Sequence, residues 1–354
     1  MSETAGGPAL RTRFCDVVGV DRPIVQTGMG WVSGARLTAA TSAGGGLGIL
    51  GGVTMTPAQL DEAVRSIQAR TDRPFGVNVR ADQPDLAERI ASCVERGVRL
   101  VSFAGAPNRD AVARCHDAGV LVMPTVGARR HAEKVLEMGV DAVIAQGSEG
   151  GGHTGPVPTS LLLPQVVDAV GADVPVLAAG GFHDGRGLVA ALAYGADGIA
   201  MGTRFLLTQE SRIPDGVTQC YLDATVTDTV VTTAVDGAPQ RVIDTEVIRR
   251  IERSPALLRF PRAARAALQF RQLTGTSVRE LVREGLAMKR NQDLTWSQVA
   301  LAANAPMLIK ATMVDGRPEV GILPAGQVTG VIDELPTVAE LLDRIMAEAD
   351  HVLC

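Results

Sequence analysis

Along the first 208 positions the apolar residues fall into two alternating spacings. Stretches with apolar residues three or four apart end at a glycine, and a short continuous apolar run follows at once. ERGVRLVSFAG (95–105), DAGVLVMPTVG (117–127), EMGVDAVIAQG (137–147) and YGADGIAMG (194–202) all share this grammar. The three- and four-residue spacing marks one face of a helix, and the continuous run marks a strand covered on both faces. Gly97, Gly119 and Gly139 stand where a helix ends in a left-handed residue. Earlier segments fit the same unit: PIVQTG (23–28), LGILGG (47–52) and FGVNV (75–79) read as strands. Thr56, Pro57 and Gln59 form a capping box ahead of a helix with Leu60, Val64 and Ile67 on one face. PVLAAGG (175–181) and DGIAMG (197–202) bring the strands to eight. Eight strands alternating with helices predict an α/β fold, a closed (β/α)8 TIM barrel, in preference to an open doubly wound sheet.

The pattern breaks after residue 208. TVTDTVVTTAVDGAPQRVI (225–243) predicts a β-hairpin turning at Asp236 and Gly237, and residues 244–290 predict helices over the barrel mouth. A stripe of Val338, Leu341, Leu342, Ile345 and Met346 predicts a last helix, Pro336 to Ala349, that closes the ring. The expected organisation is a barrel formed by 1–208 and 322–354, carrying a β-hairpin plus helical insertion after strand eight, 209–321, on its substrate side.

With 354 residues, 46% of them hydrophobic, the chain can bury a core of this size. Its five cysteines show no CxxC spacing, which argues against a disulfide framework or a zinc site and suggests a reducing, cytoplasmic setting. The polar start MSETAGGPALRTRF and the lack of a long apolar run point away from secretion and from a membrane. The net charge of -5 hides an asymmetry, because Arg249 to Arg290 holds eleven Lys or Arg against three glutamates. That segment suits an anionic small molecule better than nucleic acid, or else forms a solvated helical face. A homo-oligomer is compatible with the sequence.

In such a barrel the chemistry sits at the C-terminal ends of the strands. Gln26 to Gly30, Asn78, QGSEGGGHTG (146–155), AAGGFHDGRG (178–187) and MGTRF (201–205) all fall there. Glycine turns after strands seven and eight are where this fold binds phosphate, so Gly180, Gly181, Gly202 and Thr203 are phosphate candidates; glycines also serve plain turns. A monophosphate cofactor such as FMN fits better than NAD, because no GxGxxG opens the first unit. His153 follows three glycines and carries the side chain suited to proton transfer near neutrality, though a loop histidine bonded to backbone is the alternative. His116, His131 and His351 read as surface residues, and His183, at the same end of strand seven but beside Asp184 and Gly185, fits a turn or solvent role at least as well as catalysis. No metal-ligand spacing is present.

Together PIVQTGMGWVSGARLTAATSAGGGLGILGG, FGVNV, QGSEGGGHTG, VLAAGGFHDGRGLVAALAYGADGIAMGTRFL and the late PAGQVTG resemble the nitronate monooxygenase and enoyl-acyl-carrier-protein reductase II family of FMN-dependent barrels. The resemblance implies that Gly28, Met29 and Gly30 line the flavin ring and that Asn78 and Gln146 hydrogen-bond the cofactor. It also implies that Gly151, Gly152, Gly181, Ala200, Met201, Gly202 and Thr203 lie along the ribityl phosphate, and that His153 handles a substrate proton. QTGMGWVSGARL, VNVRAD, QGSEGGGHTGPV, DTVVTT and LTWSQV resemble more narrowly an actinobacterial branch acting on bicyclic CoA thioesters of steroid ring C/D degradation. That likeness implies hydride and proton exchange across the α,β carbons beside a carbonyl. Nitronate oxidation and flavin binding without turnover are the competing readings.

Overall fold

The structure is a computed structural model, and it describes residues 10–253 and 304–354. Eight parallel strands close into a barrel: β1 Ile24–Gln26, β2 Leu47–Gly51, β3 Phe75–Arg80, β4 Leu100–Ala104, β5 Leu121–Val126, β6 Val143–Gln146, β8 Val176–Ala179 and β9 Gly198–Met201. The ring is shut by β9 against β1, with Ile24, Val25 and Gln26 in register with Ile199, Ala200 and Met201. An open sheet is thereby excluded.

Alternation along the strands explains the two layers of core. Val25, Leu47, Ile49, Leu100, Met123, Ile144, Leu177 and Ala200 pack inside the barrel with Phe14, Cys15 and Val18 of the helix Arg13–Val18. Their neighbours Ile24, Leu50, Val77, Val79, Val101, Val122, Val143, Val176 and Ile199 pack against the surrounding helices instead. Successive side chains on a strand point to opposite faces, so a parallel barrel must be apolar on both. Gly97, Gly119 and Gly139 hold φ of +65°, +70° and +86°, as the helix-ending grammar requires. The Thr56 capping box is formed, with Leu60, Val64 and Ile67 buried beneath it.

The last helix runs Val338–Leu353, beginning two residues later than the sequence suggests because Thr337 caps it with Glu340 in a capping box. It closes the ring against the helix Gly185–Ala193. A side chain at Gly185 would stand 2.5 Å from the backbone of Ile345 and Ala349, so only glycine allows that approach.

After strand eight the described residues form the helix Asp215–Leu222, the hairpin β10 Thr229–Thr232 with β11 Gln240–Ile243, and the helices Glu246–Arg253 and Asn304–Met313. The hairpin turns through seven residues, 233–239, with Asp236 and Gly237 at its middle. A third strand unforeseen in the sequence, β7 Gly152–His153, adds to β11, with His153 opposite Gln240 and Gly152 opposite Arg241. Two further apolar clusters join this part to neighbouring segments, one around Val32, Leu207, Val217, Tyr221 and Leu323 and another around Val235, Val242, Ile248 and Ile322. Of the basic stretch, Arg249, Arg250 and Arg253 lie on the helix Glu246–Arg253. The rest of it, and with it the expected helical cover of the mouth, falls outside the described residues.

Candidate active site

Loop 147–155 leaves β6 at the C-terminal rim and is fixed from three sides. Glu149, which has no clear sequence role, accepts from the Thr159 amide at 2.9 Å and the Thr159 hydroxyl at 2.8 Å, and so ties the loop to the start of the helix Thr159–Val170. Gln146 Nε2 donates to the carbonyl of His153 at 2.8 Å, folding the loop back on its own strand. On the third side, Arg241 of β11 donates through Nε to the Ser148 carbonyl at 3.0 Å and through Nη1 to Thr229 Oγ1 at 2.9 Å.

The glycines gather the separate strand ends into one place. A Cβ on Gly151 would stand 2.5 Å from the Gly326 nitrogen, and one on Gly326 would stand 3.4 Å from Thr203 Oγ1. That same Thr203 hydroxyl accepts from the Gly326 amide at 3.0 Å. Gly202 lies against Thr27 and the Met29 sulfur, and Gly28 against Asn78. Gly180 and Gly181, with φ of +95° and +89°, turn the chain after β8 beside Gly147, Gly150 and Glu149. Among the described residues, the amides of Gly151, Gly180, Gly181 and Gly202 donate to no recorded acceptor. Amides left free on glycine turns, where no side chain blocks approach, are suited to meet an anion.

Not every candidate reaches these turns through its side chain. Met201 packs outward in the barrel–helix shell, so it reaches the site by backbone alone, where its carbonyl accepts from the Thr27 amide at 3.1 Å. Ala200 belongs to the interior layer. Gly30 lies farther out, against Thr54. Asn78 is buried and points Nδ2 at the Ser102 carbonyl, 3.3 Å away. Gly152, at φ +69°, has open space where a Cβ would be.

His153 follows Gly152 on β7. Its side chain is 62% exposed, whereas Asp236, whose carboxylate it meets at 2.7 Å through Nε2, is 7% exposed. Asp236 Oδ1 accepts from the Ala238 amide at 3.1 Å, so the hairpin loop itself orients the carboxylate. Asp236 and Arg241 are the functional candidates missed in the sequence, as is Gly326 within PAGQVTG. His183, half-buried with its protonation disfavoured by burial, is 3.6 Å from Asp184, which caps the helix Gly185–Ala193. His116 pairs with Asp141 at the barrel exterior. No cluster of three or more potential metal ligands exists among the described residues.

A cleft of about 570 Å³ opens on the outer side of the β1 and β2 rim, lined among others by Trp31, Gln59, Arg36, Arg70 and Arg212. Gly51 also lines it, and Gly51 is packed on the Met29 carbonyl, so one wall of the cleft is shared with the β1 loop.

Known proteins resemble this chain in sequence and in fold. The chain is 52% identical over 341 residues, 96% of each protein, to the (3aS,4S,5R,7aS)-5-hydroxy-7a-methyl-1-oxo-octahydro-1H-indene-4-carboxyl-CoA dehydrogenase of Mycobacterium tuberculosis. It is 53% identical over 340 residues, again 96% of each, to the enzyme of that name from Rhodococcus jostii. Among solved structures, FabK from Thermotoga maritima superposes with a TM-score of 0.77 at 32% identity over 97% of both chains. The family model described as nitronate monooxygenase matches residues 11–94 and 88–348, and the chain therefore belongs to the nitronate monooxygenase family.

Proposed function

We propose that this oxidoreductase is FMN-dependent and exchanges a hydride and a proton across the α,β carbons of a bicyclic CoA thioester. Relatives more than half identical along nearly the whole chain are named for a carboxyl-CoA dehydrogenase, which supports the substrate class. The observation that carries the chemistry is that loop 147–155, whose Gly151 amide has no acceptor among the described residues, also holds an exposed imidazole paired with a buried carboxylate.

The residues present fit a flavin mononucleotide. The amides of Gly151, Gly180, Gly181 and Gly202, with Thr203 beside them, would hold its phosphate, and Gly152, Ala200 and the Met201 backbone border the same turns. Gly28, Met29 and Gly30 would flank the ring, and Asn78 and Gln146 each keep a side-chain carbonyl oxygen with no recorded donor for its polar edge. When bound, the flavin supplies the two-electron acceptor or donor that no side chain provides.

The chain's own work is proton handling and orientation. The thioester carbonyl acidifies the hydrogen on its α carbon, and His153 would take that proton or return it. Residues 1–208 and 322–354 would serve as the flavin barrel, with 209–321 on the substrate side; the β11 pairing and Asp236 already bring that segment to His153.

A second reading, oxidation of an alkyl nitronate with oxygen, is favoured by the family to which the chain belongs. Flavin binding without turnover is disfavoured by the cost of burying Asp236 for a histidine that does nothing. Anaerobic mixing of the FMN-loaded protein with a bicyclic acyl-CoA is expected to bleach the flavin's visible absorbance. No bleaching with the acyl-CoA, together with rapid oxygen uptake on alkyl nitronates, would establish the second reading instead.

A further inference from the structure

We propose that Asp236 is the positioning residue of His153: it selects the imidazole tautomer and makes Nδ1 the nitrogen that exchanges the substrate proton. This rests on the reading of His153 as the proton-handling group. A neutral imidazole carries one N–H, and the nitrogen lacking it is the base. Asp236 Oδ2 lies 2.7 Å from Nε2, and an ionised carboxylate only accepts, so the N–H sits on Nε2 and the lone pair on Nδ1.

The carboxylate is well placed for this task. It is buried, its other oxygen is held by the Ala238 amide, and its loop is closed by the Gly237 amide donating to the Thr233 carbonyl at 2.9 Å. The histidine backbone is gripped by the same hairpin: His153 is in register with Gln240, and the Thr154 amide donates to the Pro239 carbonyl at 3.1 Å. The three-stranded sheet thus carries the imidazole on β7 and the carboxylate on the loop joining β10 to β11. The proton balance is simple. Nδ1 takes the α proton as its carbon–hydrogen bond breaks and leaves the electron pair on the α carbon, delocalised into the thioester carbonyl; the imidazolium keeps both N–H groups with Nε2–H on Asp236, and the reverse step returns the proton from Nδ1.

Asp236→Asn is the informative change, because it preserves shape while offering an amide N–H that favours the opposite tautomer. An analogous exchange in the serine-protease triad lowers turnover about 10⁴-fold through the wrong tautomer. Nitrogen NMR of histidine-labelled protein should show Nε2–H for His153 in the parent and a shift toward Nδ1–H in Asp236→Asn. With the acyl-CoA substrate, kcat should fall at least about 100-fold while KM changes little, and Asp236→Glu should recover part of the loss. An unchanged His153 tautomer in Asp236→Asn, or unchanged kcat, overturns the inference. The NMR result needs no substrate, so it separates failure of this pairing from failure of the acyl-CoA reading, which would appear as an inactive parent enzyme.

Discussion

Buried thiols give the barrel a titration of its own. Cys93 and Cys115 sit under the helices around β4 and β5, almost without exposure, and burial pushes their thiols up to about 12 and about 11. The folded state therefore keeps protons that the unfolded chain releases near pH 9, the ordinary thiol value. Raised folded values mean that their stabilisation is complete below pH 9 and is lost as pH climbs toward 11 and 12. The denaturant midpoint should stay level from pH 7 to 8.5 on this account and decline above pH 9; a Cys93→Ala, Cys115→Ala variant should decline less steeply. At pH 8 in native conditions a thiol reagent should modify Cys354, which is exposed, and Cys220 more slowly, while Cys15, Cys93 and Cys115 react only after unfolding. Fast modification of all five would contradict the burial that defines this core.

At the scale of elements, loop 147–155 belongs as much to the appended sheet as to β6. That explains what could and could not be read from the sequence. The strands and helices of the barrel are local patterns, and each announces itself through spacing, a cap or a terminal glycine. His153 was legible because three glycines beside an imidazole at a strand end are unusual within ten residues. Asp236 was not, because it is 83 positions away and looks like any turn aspartate; only the pairing of β7 with β11 brings the two together. Gly326 was hidden for the same reason, since its partner Thr203 precedes it by 123 residues. Gly151→Val tests how the loop is seated. The new side chain would meet the backbone of Ala325 and Gly326, which cannot rotate aside, so the loop must lift off segment 324–330. The FMN-to-protein ratio should fall several-fold while the circular dichroism of the barrel persists. Gly152→Ala faces open space and bears only the left-handed penalty of about 1 kcal/mol, so it should keep its flavin. Equal retention in both variants would remove Gly151 from the phosphate cradle.

For the whole molecule, the question is where a substrate as large and as charged as a CoA thioester would lie. The reacting carbons must reach His153, but the phosphates of CoA extend well beyond any pocket at the barrel centre. Outside the rim, the cleft beside Trp31 carries Arg36, Arg70 and Arg212, all exposed, and none of them pairs with a carboxylate among the described residues. Arg70 donates only to Ser66 of its own turn. Guanidinium groups left without carboxylates are free to meet phosphate in bidentate fashion, and an exposed set acts on binding more than on chemistry. Replacing Arg36 and Arg212 with alanine together should raise KM for the acyl-CoA about tenfold with kcat nearly unchanged, since one charge-assisted hydrogen bond is worth about 1.5 kcal/mol. The parent's KM should itself rise with ionic strength as screening weakens these exposed contacts. The same ring system as a pantetheine thioester lacks the nucleotide phosphates, so its KM should be insensitive both to the double substitution and to salt. A pantetheine substrate that loses as much as the CoA thioester would mean that these arginines support the fold of the rim; an unaffected CoA thioester would place its phosphates elsewhere on the molecule.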